Sequence, residues 1–149
     1  WNIVRVGMLG GAVTDADVLL TNAMKSGGSL LQGGGSSVIG GGPAFLLTID
    51  GGVCRIENQS TAITSIQIIG GTVNHASDAT ITDLTIYSTG HFNANFDTRL
   101  FVLTNCTMYD GSQFTDSFAR ADWGTLSLPA RIQNMKLDLG VNKTLTIAP

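Results

Sequence analysis

Charged residues are scarce in this sequence, at 13% of its 149 residues. The 8 lysines and arginines are outnumbered by 11 aspartates and glutamates, which gives a net charge of −3 and a pI near 5.0. Proteins that bind nucleic acid usually carry a basic face, so we expect no nucleic-acid partner. Long apolar runs are also lacking: no stretch of eighteen apolar residues occurs, and we expect no membrane insertion.

Cysteine is scarce as well, because the chain has only Cys54 and Cys106. Two cysteines are too few for a scaffold that is held together by disulfides. Cys106 lies at an inward position of the repeat described next, which favours a buried free thiol. A Cys54–Cys106 bridge is the alternative.

A six-residue pattern occurs four times, at residues 63–68, 81–86, 103–108 and 132–137. The copies read Ile-Thr-Ser-Ile-Gln-Ile, Ile-Thr-Asp-Leu-Thr-Ile, Leu-Thr-Asn-Cys-Thr-Met and Ile-Gln-Asn-Met-Lys-Leu. Each has apolar residues at positions 1, 4 and 6 and polar residues at positions 2, 3 and 5. The many Ile and Thr residues, and the lack of helical spacing, favour strands over helices.

The third position of the repeat predicts a bend. Positions 4 and 6 share one face of a strand, whereas positions 1 and 4 would lie on opposite faces of a straight one. A bend at position 3 brings all three apolar side chains to one side. The corner residues are then Ser65, Asp83, Asn105 and Asn134, of which Asn and Asp tolerate the backbone conformations of tight turns.

Glycine turns recur about one repeat apart, at Gly51-Gly52, Gly70-Gly71, Gly90 and Gly111. A strand, a glycine turn and a second strand, repeated every twenty or so residues, describe one coil of a solenoid. Stacked coils would align Ile66, Leu84, Cys106 and Met135 in one interior column. A β-sandwich is the alternative, although its strands have no reason to repeat a bend residue in register.

The repeated apolar–x–Asn/Asp–apolar–x–apolar unit with glycine turns resembles the right-handed parallel β-helix of pectin-lyase-like proteins and of many bacteriophage virion proteins. The resemblance covers about residues 36–147. It implies an all-β parallel β-helix, or β-solenoid, of about five to six coils. It says little about activity, because this scaffold hosts many unrelated functions.

The chain length suits a single domain over residues 1–149. Residues 1–33 are predicted to be an N-terminal cap or attachment segment, 34–111 the regular coils, 112–130 an inserted loop and 131–149 the final coil. Within the cap, residues 14–26 carry the signals of a short helix, and a strand at Val18–Thr21 is the alternative. Because the chain begins at Trp1 without a visible signal peptide, we expect a processed N-terminus or a fragment boundary.

Aromatic residues cluster late in the chain, with eight of the ten between Tyr87 and Trp123. A loop that carries Trp, Phe and Arg suits contact with a protein partner. The predicted partner-contact residues are Phe114, Phe118, Arg120, Trp123 and Trp1. The alternative is a loop that folds its aromatic side chains onto the edge of the coils.

Candidate catalytic residues are dispersed. Asp78 and Asp97 are 19 residues apart and could stack on adjacent coils, with His75 and His91 near them. Such paired carboxylates could titrate apart or bind Ca²⁺. The further acids and bases of polysaccharide-cleaving β-helix enzymes are missing, so we expect no catalysis, no cofactor and no metal.

These observations and the resemblance lead to one functional expectation: a non-enzymatic structural protein of a bacteriophage virion. It would be a capsid decoration (cement) protein or a tail fibre or spike module, and a homotrimer bound to a major capsid or tail protein, with a surface glycan as a further partner. The alternatives are a bacterial surface adhesin of the autotransporter type, which would be extracellular, and a polysaccharide-cleaving enzyme.

Overall fold

The computed structural model describes residues 3–6, 17–21, 29–40, 46–57 and 62–141. These residues form an all-β parallel solenoid, as predicted, and contain no helix. The strands are β1 Ile3–Val6, β2 Asp17–Thr21, β3 Ser29–Gln32, β4 Ser36–Gly40, β5 Leu46–Ile49, β6 Val53–Glu57, β7 Ile63–Ala76, β8 Ile81–Asn93, β9 Phe101–Met108, β10 Gln113–Thr115, β11 Ala121–Ser127 and β12 Lys136–Asp138.

Two ladders of parallel strands run along the solenoid. Ladder A consists of β1, β3, β5, the first half of β7, the first half of β8, β9 and β11. Ladder B consists of β2, β4, β6, the second halves of β7 and β8, β10 and β12. Residues 46–138 complete about five turns, and the two preceding strand pairs stack on their N-terminal side.

The predicted bend within the repeat is confirmed. Ile63, Ile66 and Ile68 are all buried, although a straight strand would point Ile63 away from the other two. The ladder pairing omits Thr64, which lies at the bend between Ile63 and Ser65. Asp83 and Asn105 occupy the same corner on the next two coils, and the Asn105 amide donates a hydrogen bond to Asp83 Oδ1 at 2.9 Å.

The interior column follows the prediction for three of its four members. Ile66 pairs with Leu84, and Leu84 pairs with Cys106. The next member is Leu126, not Met135, because β11 and not the fourth repeat stacks on β9. The fourth repeat belongs elsewhere: its Leu137 pairs with Phe114 in ladder B, so Asn134 is not in the corner column of Ser65, Asp83 and Asn105.

Residues 112–130 are not an inserted loop, which corrects the prediction. They contain β10 and β11, which continue both ladders, and so they supply half of one coil and half of the next. The long spacing between the third and fourth repeats arises because β10 and β11, which have different sequences, lie between them, so the fourth repeat falls in the other ladder. The ring of Phe114 on β10 packs at a tilt against that of Trp123 on β11, with ring centroids 4.8 Å apart.

The helix predicted over residues 14–26 is wrong where the structure describes it. Asp17–Thr21 is a strand that pairs in register with Ser36–Gly40, which confirms the alternative. The remaining residues of that segment, Trp1 and the end of the predicted final coil (residues 142–149) lie outside the described residues. In the described part of the chain, no helix is long and apolar enough to cross a membrane.

Glycine is required where the coil turns from ladder A to ladder B. Gly52 and Gly71 have φ values of 73° and stack on one another. A Cβ atom on Gly71 would lie 2.5 Å from the carbonyl oxygen of Gly52, which is closer than atoms approach. The glycine series in the sequence therefore marks the tight corner that the prediction assigned to it.

Candidate functional site

The candidate site lies where the chain passes from ladder B to the next strand of ladder A. Three successive connections, at residues 77–80, 94–100 and 116–120, stack here. We call this region the Arg120 corner. It combines a buried arginine, a buried histidine, three aspartates and a pocket, which together make it the most chemically varied part of the described chain.

Arg120 is buried, and its guanidinium group donates hydrogen bonds to backbone carbonyls. Nε donates to the carbonyl of Arg99 at 2.7 Å, Nη1 to those of His75 and Ala94, and Nη2 to that of Ser77 at 2.7 Å. These carbonyls belong to the two preceding coils. One side chain therefore ties three successive coils together through charged hydrogen bonds, which are about twice as strong as neutral ones.

Two carboxylates compensate the buried charge of Arg120. Asp116 is fully buried, and its two oxygens accept hydrogen bonds from the backbone N–H groups of Arg120 and Ala121 at 2.9 and 2.8 Å. Asp97 lies 4.0 Å from Nη2 of Arg120. The guanidinium plane also lies over the ring of Phe101, 5.2 Å from its centroid. Burial of a charge is tolerated when it is paired and hydrogen-bonded in this way.

His75 lies beside Arg120 in the interior. Its ring packs edge-on against Phe101 at 4.6 Å between centroids, and neither ring nitrogen has a hydrogen-bond partner among the described residues. Burial, and to a smaller extent the positive charge of Arg120, lowers its pKa to about 3. His75 is therefore neutral at pH 7, and it is enclosed too deeply to act as an acid or base toward a solvent-borne substrate.

The structure brings Asp78 and Asp97 together, as the 19-residue spacing predicted. Arg99 joins them: it donates to Asp97 from Nε at 2.8 Å and to Asp78 from Nη1 at 3.3 Å. Hydrogen bonding from Arg99 holds the pKa of Asp97 well below its usual range. The Asp97 carboxylate is therefore ionised and paired with Arg99 near neutral pH.

His91 is not part of this corner. It lies on the outer face of ladder B, where its Nε2 is 3.0 Å from the hydroxyl of Thr115. Its pKa is lowered by partial burial and by Lys136. Among the described residues, no group of three His, Cys, Asp or Glu side chains has the geometry to hold a metal ion.

A pocket of about 270 Å³ opens beside the corner. Its polar lining comes from Asp78, Asp122 and Arg120, and its apolar lining from Leu100, Phe101, Val102, Ala119 and Ala121. Val102 and Asp122 are neighbours on adjacent coils, because β9 and β11 pair in register at these positions. Ala119 has a φ of 54°, a conformation that non-glycine residues rarely adopt, in the tight turn that leads into Arg120.

The predicted partner-contact residues occupy different environments. Phe114 and Arg120 are interior, so the prediction that they contact a partner is wrong. Trp123 is half-buried against Phe114, and its Nε1 has no partner among the described residues. Phe118 is 59% exposed and is free to make such a contact. Trp1 lies outside the described residues.

Both cysteines are buried free thiols, as expected for Cys106. Burial raises the pKa of each thiol to about 12. Cys54 is on β6 and Cys106 on β9, three coils along the solenoid, which is roughly 14 Å at the usual strand spacing. A disulfide requires Cα atoms within about 7 Å, so the alternative of a Cys54–Cys106 bridge is wrong.

Comparison of the chain with protein-family models, with curated proteins and with solved structures found no match in any of the three. The resemblance seen in the sequence therefore holds for the class of fold, a parallel β-solenoid. A relationship to bacteriophage proteins in particular has no support from sequence comparison.

Proposed function

We propose that this chain is a non-enzymatic structural module of a bacteriophage virion, either a capsid decoration protein or part of a tail fibre or spike. The observation that carries the proposal is the set of hydrogen bonds that the Arg120 guanidinium group makes. In an enzyme, a buried arginine next to aspartates and a histidine would be aimed at a substrate. Here its guanidinium nitrogens donate to backbone carbonyls of the two preceding coils, which supports a role in holding the solenoid rigid.

A partner surface next to the corner supports the same proposal. Leu100 is 70% exposed, Val102 43% and Phe118 59%. Large apolar side chains that are exposed together beside a pocket are typical of a protein contact. The proposed partners are further copies of the chain in a homotrimer and a major capsid or tail protein.

The trimer is tested by the mass of the purified chain in solution. Light scattering should give three times the chain mass, and replacing Leu100 and Phe118 by Ser should shift the mass toward that of one chain. A matched pair of substitutions, Val53→Ser and Ile69→Ser, removes exposed apolar side chains elsewhere and should leave the trimer intact. A monomeric wild-type chain would contradict the trimer.

The virion assignment is tested by locating the protein in particles. Particles released from cells that carry the gene should contain the chain by mass spectrometry, and immunogold labelling should distinguish head from tail. Recovery of the chain in an outer-membrane fraction would instead favour the surface adhesin. Release of oligosaccharides from uronate polymers would favour the polysaccharide-cleaving enzyme.

The adhesin alternative has one specific observation in its favour. The outer face of ladder A presents a register column of polar side chains, Thr48, Gln67, Thr85, Thr107 and Ser127. Regularly spaced hydroxyl and amide groups could hydrogen-bond a surface glycan. The same column is compatible with a tail fibre that contacts a host glycan, so it does not separate the two functions.

A further inference from the structure

We propose that the pocket beside the Arg120 corner binds an amphipathic cation, in the form of an arginine or lysine side chain presented by a partner protein. The inference rests on the proposed function in one respect, since a structural module must have such a partner. The argument depends on the charge, the apolar lining and the position of the pocket.

The charge available in the pocket is negative. Asp122 is exposed, and its carboxylate has no partner among the described residues. Asp78, with half of its side chain exposed, has one long ion pair with Arg99 and retains further acceptor capacity. The positive charge of Arg120 is hydrogen-bonded inward and lies close to Asp97 and Asp116, so it does not neutralise Asp122.

The apolar lining fits the other half of such a ligand. Leu100, Val102 and Ala119 form the pocket walls next to the carboxylates. Arginine and lysine carry a charged group on an aliphatic stem of three or four methylenes, and they bury the stem while the charge stays at a polar site. An inorganic cation would leave the apolar walls uncovered, and an anion would be repelled.

The position of the pocket selects a protein as the source of the cation. Leu100, Val102 and Phe118 surround it with exposed apolar surface, as in an interface where a charged anchor is ringed by apolar contacts. The pocket volume of about 270 Å³ accommodates one long side chain. The guanidinium or ammonium group would pair with Asp122 and Asp78, and the stem would lie on Leu100 and Val102.

The test uses n-butylguanidinium chloride as the probe, titrated into the whole isotopically labelled chain and followed by amide NMR spectra. Binding should shift the amides of residues 100–102 and 119–122. Butanoate, with a similar stem and the opposite charge, and guanidinium alone should bind at least about fivefold more weakly, since one exposed ion pair or a buried stem is worth about 1 kcal/mol.

Asp122→Asn should weaken probe binding by about fivefold, and Leu100→Ser should weaken it similarly. The matched control Asp50→Asn changes an exposed aspartate at a different corner and should not alter binding. Unchanged spectra outside the pocket show that each variant is folded.

Equal binding of butanoate, equal binding by the Asp122 variant, or no shifts at these amides would overturn the inference. A chain that is found in virions but does not bind the probe loses this inference alone; one that binds the probe but is absent from virions loses the proposed function alone.

Discussion

At the scale of single residues, the solenoid depends on a few polar side chains that its apolar interior encloses. Arg120, Asp116 and His75 are all buried at one corner, in a chain where charged residues are otherwise rare and mostly exposed. Arg120 and Asp116 are fully hydrogen-bonded, whereas His75 has no partner in the described structure. Replacing Arg120 should therefore lower the stability of the protein, because it leaves hydrogen-bond partners unsatisfied. Replacing His75 should not lower it, because His75 has no such partner in the described structure.

Arg120→Met should destabilise the protein by about 3–5 kcal/mol. The substitution removes the guanidinium donors to four carbonyls and the positive charge that offsets the nearby buried carboxylate of Asp116. The free energy of unfolding from urea denaturation measures this. Arg131→Met, which changes an exposed arginine, should cost less than about 0.5 kcal/mol. Similar values for the two variants would contradict the role assigned to Arg120.

His75 should make stability fall as the pH falls. Its pKa is about 3 in the folded protein and 6.5 in the unfolded chain, so below pH 6.5 only the unfolded chain takes up the proton. Protonation of His75 in the unfolded chain does not affect the free energy of unfolding above pH 6.5. Below that pH it lowers the free energy of unfolding by about 1.4 kcal/mol per pH unit, down to about pH 3. The pKa of His91 is also lowered, so it contributes with the same sign.

His75→Phe isolates the effect of His75. The variant should be as stable as the wild type or more stable at pH 7, because it removes two unsatisfied nitrogens. Between pH 6.5 and 4.5 its stability should decline less steeply than that of the wild type. The window avoids Asp97, Asp110 and Asp138, whose lowered pKa values matter only near pH 4 and below. His91→Gln serves as the control, and parallel pH profiles for wild type and His75→Phe would count against the neutral buried histidine.

At the scale of the elements, the coils of β7, β8 and β9–β10 each consist of a bent strand, a glycine corner and a second strand. The bend lies at the polar residues in the second and third positions of the repeat, and close backbone stacking between coils forms the glycine corner. Both devices bring apolar side chains from two ladders to one interior. The strands therefore depend on the corners for their register.

Gly71→Ala should destabilise the protein by about 1–3 kcal/mol. The backbone φ of 73° disfavours alanine, and the added methyl group would collide with the carbonyl of Gly52. Thermal and urea unfolding measure the loss. The neighbouring substitution Thr72→Ala, at a half-exposed position with ordinary backbone, should cost much less. A neutral effect of Gly71→Ala would mean that the corner can open without cost.

The repeat made most of this architecture predictable from sequence. The copies at 63–68, 81–86 and 103–108 have the same apolar positions, and they stack as predicted. The prediction failed at β11, because Trp123 and Gly124 interrupt the six-residue pattern there. Residues 132–137 match the pattern, but they do not occupy the position in ladder A that follows β9. The approach of Asp78 and Asp97 in the Arg120 corner was predictable from their spacing. The role of Arg120 was not, since its partners are backbone carbonyls 21 to 45 residues away, and a carbonyl carries no residue-type signal.

At the scale of the whole molecule, the solenoid has its most complete interior in its middle coils. The inward residues of β7, β8 and β9 are buried, whereas Leu126, Met135 and Leu137 at the C-terminal end are only partly so. In a stack of coils, stability depends on each coil and on its contact with its neighbours. Opening should therefore begin at the C-terminal end of the described coils and not in the middle.

Hydrogen exchange should show this gradient. Amides of β7, β8 and β9 should exchange most slowly, and those of β12 should exchange early. Mass spectrometry of peptides after timed labelling measures the order. In Arg120→Met the protection of residues 94–120 should fall toward that of β12, while residues 46–57 should keep theirs. Uniform protection along the chain would show that the coils open only as one unit.

The reach of Arg120 across three coils has a mechanical consequence. A solenoid held together only by contacts between neighbouring coils would unfold under tension one coil at a time, at nearly constant force. Because Arg120 hydrogen-bonds across three coils, the applied force is shared among them. These coils should resist together and then unfold in a single larger step. For a module proposed to hold a particle together, such a reinforced section would set the force that the assembly withstands.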